Sequence, residues 1–172
     1  MKFSGQCLCG QVAYKSHAEP VLILNCHCED CRRSTGAVYG TNVMVAEDQL
    51  EIHGNVSTFS HKAKSGNTMT KRFCTNCGTL MFGNSSGRKN VVSIRAGTVD
   101  QTDIINPMMN VFVDSKISST PMNDDLPKAS EMPHGEPWKR INPHPNSHYP
   151  FSLTKTFIWI VSFATCVASF VE

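Results

Sequence analysis

The chain has 172 residues, of which 40% are hydrophobic and 17% are charged, and its formal net charge is +2. This length supports one domain with a hydrophobic core and a tail, and argues against two full domains. The small net charge and the absence of long Lys/Arg runs argue against nucleic acid as a partner.

The first eleven residues, MKFSGQCLCGQ, contain polar residues and glycines where a secretion signal would have an apolar stretch. We therefore expect a reducing, cytoplasmic location. The eight cysteines also fall short of the density of a disulfide-built secreted domain. In a reducing compartment, Cys-x-Cys and Cys-x-x-Cys spacings indicate metal binding rather than disulfides.

Short β-type runs separated by turn residues make up residues 1–114, and helical periodicity is weak there. The pattern predicts a mostly antiparallel β domain, with one helical turn just after Cys31. The predicted strands show apolar/polar alternation or many β-branched residues, and they are 11–15, 21–25, 38–45, 49–53, 68–73, 79–83, 91–99 and 110–113.

The composition changes after the β-rich part, because seven of the nine prolines lie in residues 115–150. We divide the chain into a domain (1–135), a proline-rich linker (136–156) and an apolar C-terminal segment (157–171). The apolar segment would span only about 22 Å as a helix, short of the roughly 30 Å hydrocarbon core of a bilayer. We favour its packing on the domain or in an oligomer over a membrane anchor, with Cys166 as an apolar packing residue.

Seven cysteines fall into three groups whose internal spacing suits a metal ion. In an extended segment, residues i and i+2 point to the same face, so the CLC and CHC segments can each bind one ion with two thiolates. In CTNCG, the glycine permits a tight turn in which backbone N–H groups face the sulfurs. The three groups are Cys7/Cys9, Cys26/Cys28/Cys31 and Cys74/Cys77.

These seven cysteines divide naturally into four and three. The first and third groups together complete a Cys₄ tetrahedron, the usual form of structural zinc, whose binding stabilises a small β domain. The central three would form a second zinc site with its fourth position open to water or substrate, as in catalytic zinc sites. Another side chain could also complete that site, although an extended backbone points His27 away from the metal. The structural set is Cys7, Cys9, Cys74 and Cys77, and the catalytic set is Cys26, Cys28 and Cys31.

A zinc ion held by three thiolates is electron-rich and suits a soft fourth ligand. A substrate thiol bound there loses its proton and can attack an aldehyde carbon. The natural cellular thiol is glutathione, whose carboxylates need cationic partners. We predict that Arg32 and Arg33 bind these carboxylates, and we expect the Lys-Arg pair at 71–72 to lie nearby. The alternative for each arginine is an ordinary surface ion pair.

Three segments carry a family likeness: GQCLCGQVAY, NCHCEDCRRSTGA and RFCTNCGTLMF. In this order and at these separations they resemble the glutathione-dependent formaldehyde-activating enzyme (GFA) family, which includes the centromere protein V group. The likeness covers about residues 3–113 and includes all seven motif cysteines. It implies a β-tent fold of antiparallel sheets organised around the Cys₄ zinc site, and the same division of the cysteines into a structural and a catalytic site.

The resemblance also implies an activity: a carbon–sulfur lyase that joins formaldehyde and glutathione into S-hydroxymethylglutathione, or that acts on a related glutathione conjugate. The centromere branch suggests an alternative, a non-catalytic zinc module that binds a protein partner. A long basic N-terminal extension would favour that module, and here the first cysteine ligand is residue seven. We therefore expect an enzyme acting on a small thiol and an aldehyde, and the sequence leaves its oligomeric state open.

Overall fold

A computed structural model of the chain describes residues 1–133. Within that range, no helix is both long and apolar enough to cross a membrane. The proline-rich linker and the apolar segment with Cys166 lie outside the described residues. The strands are β1 (Phe3–Gln6), β2 (Ala13–Ser16), β3 (Leu22–Cys26), β4 (Gly40–Ala46), β5 (Leu50–His53), β6 (Val56–Lys62), β7 (Thr68–Cys74), β8 (Leu80–Ser85), β9 (Arg88–Arg95), β10 (Asn110–Val111) and β11 (Lys128–Ala129); the α-helix is α1 (Glu29–Thr35).

The strands form two sheets. The small sheet has the order β1-β2-β5, and the large sheet has the order β11-β10-β3-β4-β9-β8-β7-β6. Neighbouring strands are antiparallel, except that β10 runs parallel to both β3 and β11. The predicted mostly β class is therefore confirmed for the described part of the chain.

The two faces of the large sheet belong to different hydrophobic cores, because successive side chains of a strand point to opposite faces. One face packs against the small sheet, where the ring of Tyr14 meets that of Phe82 edge-on at 5.4 Å between centroids. The other face packs against α1. Each core includes one group of cysteines. Cys7 and Cys74 are buried in the first core, and Cys26 and Cys31 are buried in the second.

Helix α1 is longer than the single turn predicted after Cys31. It begins at Glu29, and the Sγ atom of Cys28 accepts the N–H of Cys31 as an N-terminal cap. It ends where Gly36 takes φ +71° and donates its N–H to the carbonyl of Arg32, a left-handed cap that favours glycine. The helix thus starts on one cysteine of the central group and contains the next.

The predicted strand list differs from the structure in two ways. It lacks β1, β6 and the two-residue β11; β6 is a mostly exposed edge strand without a regular apolar alternation, so its sequence carries a weak strand signal. The predicted strand 91–99 also ends early. The chain leaves β9 at Arg95 and continues as a 3₁₀ helix at Ala96–Thr98.

Candidate functional site

The four-cysteine group, Cys7, Cys9, Cys74 and Cys77, has its Sγ atoms within 4.8 Å of one another. The Sγ of Cys9 lies 3.5 Å from that of Cys7 and 3.8 Å from that of Cys74. Ligands at a Zn–S distance of about 2.3 Å in a tetrahedron have their sulfurs about 3.8 Å apart. The group therefore fits a zinc ion, and these separations are too long for a disulfide of about 2.0 Å.

Two tight turns present these four thiols. Gly10 at φ +74° and Gly78 at φ +71° follow the two cysteine pairs, and their N–H groups donate to the carbonyls of Cys7 and Cys74. Only glycine adopts this left-handed backbone without strain. The turns bring together the loop between β1 and β2 and the loop between β7 and β8, so the group connects the two sheets.

The Thr79 hydroxyl and backbone polarise one of these thiols. Its Oγ1 atom lies 3.2 Å from the Sγ of Cys77, and its hydroxyl and N–H lower the pKa of that thiol to about 5. The pKa of Cys7 is also lowered: burial raises it, but hydrogen bonds outweigh burial, first among them the N–H of Val12 at 3.2 Å. Thiolates are the form that binds zinc. The pKa of Cys74 is raised to about 11: the N–H of Cys77 lowers it, but burial and the thiols of Cys7 and Cys77 outweigh that hydrogen bond. The surroundings therefore favour the thiolate form at Cys7 and Cys77.

The three-cysteine group, Cys26, Cys28 and Cys31, lies on the opposite face of the large sheet. Cys26 ends β3, Cys28 caps α1, and Cys31 lies in the first turn of α1. Their Sγ atoms lie within 4.8 Å of one another, with 3.4 Å between those of Cys26 and Cys28. Three convergent thiols at this spacing also fit a zinc ion. The structure therefore brings together both sets of cysteines that the sequence grouped.

Buried cations surround the three-cysteine group, and the sequence analysis gave the nearest of them no role. Arg95 is 6% exposed, and its Nη1 atom lies 3.9 Å from the Sγ of Cys31 and donates to the Oδ1 of Asn42. The pKa of Cys31 is lowered, first by hydrogen bonds from the Cys26 and Cys28 thiols, and then by the charges of Arg95 and Lys71. The only sequence signal for Arg95 is a charge that ends the apolar run VVSI.

Lys71 faces the same group from β7. Strand pairing puts it opposite Gly83, which is opposite Ser93, two residues from Arg95 on the same face. It is 5% exposed, and its pKa is lowered by burial first and by the charge of Arg95 second. Burial lowers the pKa of Arg88, and the charges of the three thiols oppose this effect. The predicted pair 71–72 is split, because Arg72 points to the other face and lies 5.1 Å from the Phe82 ring centroid.

The two arginines predicted to bind carboxylates lie on α1. Arg33 is exposed and forms an ion pair with Glu29 at 2.8 Å, one helical turn earlier. Arg32 is half-buried, and its Nε atom is buried without a hydrogen-bond partner among the described residues. His27 is buried with its Nε2 atom 3.4 Å from the Oδ1 of Asn110, and burial lowers its pKa. His27 is thus held by packing and hydrogen bonding outside the three-cysteine group, as its position in the sequence predicts.

A cleft of about 740 Å³ opens between the end of α1, the start of β4, the turn after Cys77 and the chain that follows β9. Its wall is rich in hydroxyl groups, including those of Thr35, Thr79 and Thr98, and Arg95 is the single charged residue among the described residues that line it. A Cβ atom built on the lining residue Gly40 would lie 3.4 Å from the Cβ of Cys31. The inner wall of the cleft therefore touches the three-cysteine group, and its volume suits a small-molecule ligand.

Three comparisons with known proteins bear on this site. Residues 2–115 match the family described as glutathione-dependent formaldehyde-activating enzyme. A protein of Schizosaccharomyces pombe (strain 972 / ATCC 24843), named an uncharacterized lyase, is 25% identical over 115 residues, which are 67% of this chain and 81% of that protein. A crystal structure of a Rhodobacter sphaeroides protein has a TM-score of 0.45 and 16% identity, and covers 73% of this chain and 98% of that one. The family match spans well over half of the 172 residues, so this chain belongs to the glutathione-dependent formaldehyde-activating enzyme family.

Proposed function

We propose that this protein is a zinc-dependent carbon–sulfur lyase that acts on thiol adducts. The reaction that the family membership favours joins glutathione and formaldehyde into S-hydroxymethylglutathione, or acts on a related glutathione conjugate. One observation carries the proposal: three convergent thiols lie directly behind Gly40 and Arg95, two residues that line a cleft large enough for a peptide thiol.

We assign one zinc ion to each cysteine group. The four-cysteine group would hold a structural ion, because four thiolates complete a tetrahedron and connect the two sheets. The three-cysteine group would hold the second ion and leave one position for the substrate. A zinc ion there would favour the thiolate form of the substrate sulfur.

The chain's own residues make this environment suitable for a thiolate. Lys71 and Arg95 are buried beside the three-cysteine group, and their charges oppose the negative charge of the cysteine thiolates. The substrate sulfur would therefore approach a site with balanced charge instead of one that repels an anion. In the forward reaction, this sulfur forms a bond to the aldehyde carbon while the carbonyl oxygen takes up an electron pair and then a proton.

The hydroxyl-lined cleft would bind the peptide part of the thiol. Its lining residues include Tyr39 and Thr102, whose hydroxyl groups can donate and accept hydrogen bonds. Arg32 remains our proposed partner for a substrate carboxylate, because its Nε atom has no protein partner among the described residues. Arg33 is the weaker candidate, since its guanidinium already pairs with Glu29.

The direct test is the exchange between formaldehyde and its glutathione adduct, followed by NMR, together with the zinc content of the protein. We expect the wild type to accelerate exchange and to hold about two zinc ions per chain. Cys26→Ser and Cys31→Ser should lose one zinc ion and the acceleration while they keep the fold. No acceleration over the spontaneous reaction across a range of thiols would instead support the non-catalytic zinc module.

A further inference from the structure

We propose that Arg95 binds the oxygen atom of the aldehyde while the carbon–sulfur bond forms or breaks, and that it is a catalytic residue of the site. This inference rests on the proposed function and assigns the group that stabilises the charge created by the reaction. It differs from the predicted role of Arg32 and Arg33, which concerns the carboxylates at the ends of the thiol.

The distance from the sulfur ligands selects this role. The Nη1 atom of Arg95 lies 3.9 Å from the Sγ of Cys31, so the guanidinium sits beside the sulfurs. In a thiol–aldehyde adduct, the oxygen is separated from the sulfur by a single carbon atom. The carboxylates of glutathione are several bonds further away. A cation next to the sulfur ligands is therefore closer to the adduct oxygen than to a carboxylate of the thiol.

The guanidinium is held in one orientation. Asn42, its direct partner across β4 and β9, accepts a hydrogen bond from Nη1. The hydrogen bonds that Arg95 side-chain atoms make to described residues all start from Nη1, and its Nε atom is buried without a partner among those residues. Nη2 is thus left to donate to a ligand. A preoriented donor of this kind costs little reorganisation during the reaction.

Two glycines leave space around the guanidinium. A Cβ atom built on Gly40 would lie 3.3 Å from Nη1, and one built on Gly83 would lie 4.0 Å from Nη2. Gly83 could not carry a side chain in any case, since its Cβ would lie 2.9 Å from the Oγ of Ser93. The absence of side chains at these positions leaves room beside the guanidinium, and Gly40 itself lines the cleft.

The other buried cation does not have this position. Lys71 lies on the same face of the sheet and acts on the thiols through its charge, but it is not part of the cleft wall. Arg95 is the one charged residue among the described residues that line the cleft. It is therefore the cation that a ligand in the cleft can touch.

The chemistry of the step needs such a cation. The sulfur of the thiolate donates an electron pair to the carbonyl carbon, and the π electrons of the C=O bond move to the oxygen. The resulting alkoxide is stabilised by the guanidinium and then takes a proton from water. In the reverse direction the hydroxyl group first gives its proton to hydroxide, and the resulting alkoxide then re-forms the C=O bond and expels the thiolate.

Two stable glutathione derivatives separate oxygen binding from carboxylate binding. Glutathione sulfonate carries three oxygens on the sulfur atom itself. S-methylglutathione has the same carboxylates and no oxygen on or beside the sulfur. We would measure the binding of both by calorimetry to the zinc-loaded wild type and to Arg95→Gln, Arg95→Lys and Lys89→Gln. Lys89→Gln is the control, because it removes the same charge from an exposed position on the same strand.

We expect Arg95→Gln to weaken sulfonate binding at least about tenfold, as the loss of a charge-assisted hydrogen bond does, with S-methylglutathione unchanged. The turnover number should fall about 10²–10³-fold, the usual effect of losing an oxyanion donor, with partial recovery in Arg95→Lys. Lys89→Gln should match the wild type in both measurements.

Several results would overturn the proposal. Equal weakening of both derivatives would make Arg95 a carboxylate-binding residue, and loss of one zinc ion in Arg95→Lys as well as Arg95→Gln would make its role structural. Binding of neither derivative by the wild type would also exclude it. If the wild type binds the sulfonate through Arg95 but accelerates no thiol–aldehyde exchange, the proposed function fails, while the oxygen-binding site stands. If Arg95→Gln does not fold, the binding of the two derivatives is compared between Arg95→Lys and the wild type.

Discussion

The Sγ atom of Cys9 lies 3.8 Å from the Sγ atom of Cys74, although 65 residues separate them in the chain. Cys9 belongs to the loop between β1 and β2 of the small sheet, and Cys74 ends β7 of the large sheet. The three-cysteine group is different, since its members lie within six consecutive residues, 26–31. A metal ion in the first group would connect distant parts of the fold, whereas one in the second would constrain a short local segment.

This difference predicts unequal costs for removing single cysteines. Cys74→Ser should lower the free energy of unfolding by several kcal/mol, because the binding free energy of a structural zinc ion is part of the folding free energy. Cys26→Ser should lose a metal ion with a much smaller effect on stability. Urea unfolding combined with metal analysis measures both quantities. If the two variants are equally destabilised, the assignment of one structural and one catalytic site is wrong.

Chelation should also separate the two groups. We expect a zinc chelator to remove the ion of the three-cysteine group first, with little change in far-UV circular dichroism. Removal of the second ion should coincide with unfolding, because the four-cysteine group holds the sheets together. Simultaneous loss of both ions and of the β signal would contradict this order.

Gly5 should tolerate no side chain. A Cβ atom there would lie 2.1 Å from the carbonyl oxygen of Thr98 and 2.2 Å from the hydroxyl oxygen of Tyr14. We expect Gly5→Ala to cost at least about 1–3 kcal/mol, the usual effect of overpacking a core. Gly97→Ala is the matched control, since a Cβ there has no atom within 4 Å. Thermal unfolding of the pair checks this, and equal melting temperatures would show that β1 can shift away from Tyr14.

Tyr14 should make the protein less stable at high pH. Burial raises the pKa of its phenol, opposed by the hydrogen bond to Thr98 and assisted by the charge of Asp100. The unfolded phenol has a pKa of about 10, so below that pH both states keep the proton and stability is unaffected. Above it the unfolded state loses the proton first, and stability falls by up to about 1.4 kcal/mol per pH unit.

Tyr14→Phe is the control for this effect. The variant loses the hydrogen bond between Tyr14 Oη and Thr98 Oγ1, which spans 3.1 Å, at a cost of about 1 kcal/mol at neutral pH. It should not show the additional loss of stability between about pH 10 and about pH 11. The two proteins differ only in the phenol hydroxyl, so the difference between their urea midpoints isolates Tyr14. Parallel pH profiles would show that the phenol ionises in the folded state as easily as in the unfolded one.

The division of the chain at residue 135 remains a prediction. A protein of residues 1–135 should unfold cooperatively with the same melting temperature as the full chain, because both cysteine groups and both cores lie within residues 1–133. Fractionation of the two proteins with lipid vesicles tests the apolar segment 157–171. Vesicle binding by the full chain alone would support a membrane anchor over packing on the domain.

Much of the candidate site was predictable because its residues are close in sequence or have a distinctive spacing. Alternation in an extended chain puts the sulfurs of Cys26 and Cys28 on one side, and the structure has them 3.4 Å apart. A CxxCG turn presents two thiols whatever the rest of the fold does. The same local rule predicts that His27 points away from these sulfurs, and its ring lies against Asn110 instead.

Arg95 shows why the remainder was not predictable. The sequence places it 64 residues from Cys31, at the end of an apolar run where a charge has no evident role. Its contact with the cysteine depends on the register between β4 and β9, which pairs Asn42 with Arg95, and on the register between β3 and β4, which pairs Cys26 with Gly40. Strand register depends on the whole set of buried side chains, and a shift by one residue would turn Arg95 to the other face.

The sequence by itself determined the division of the cysteines into four and three, the mostly β class and the turns that present the thiols, because these follow from local spacing and from glycine's backbone freedom. Only the tertiary structure decided which face of the large sheet each group occupies, that Lys71 and Arg95 are the buried cations beside the three-cysteine group, and where the cleft reaches it. Those features depend on long-range strand pairing, which brings together residues whose contact cannot be predicted from their spacing in the sequence.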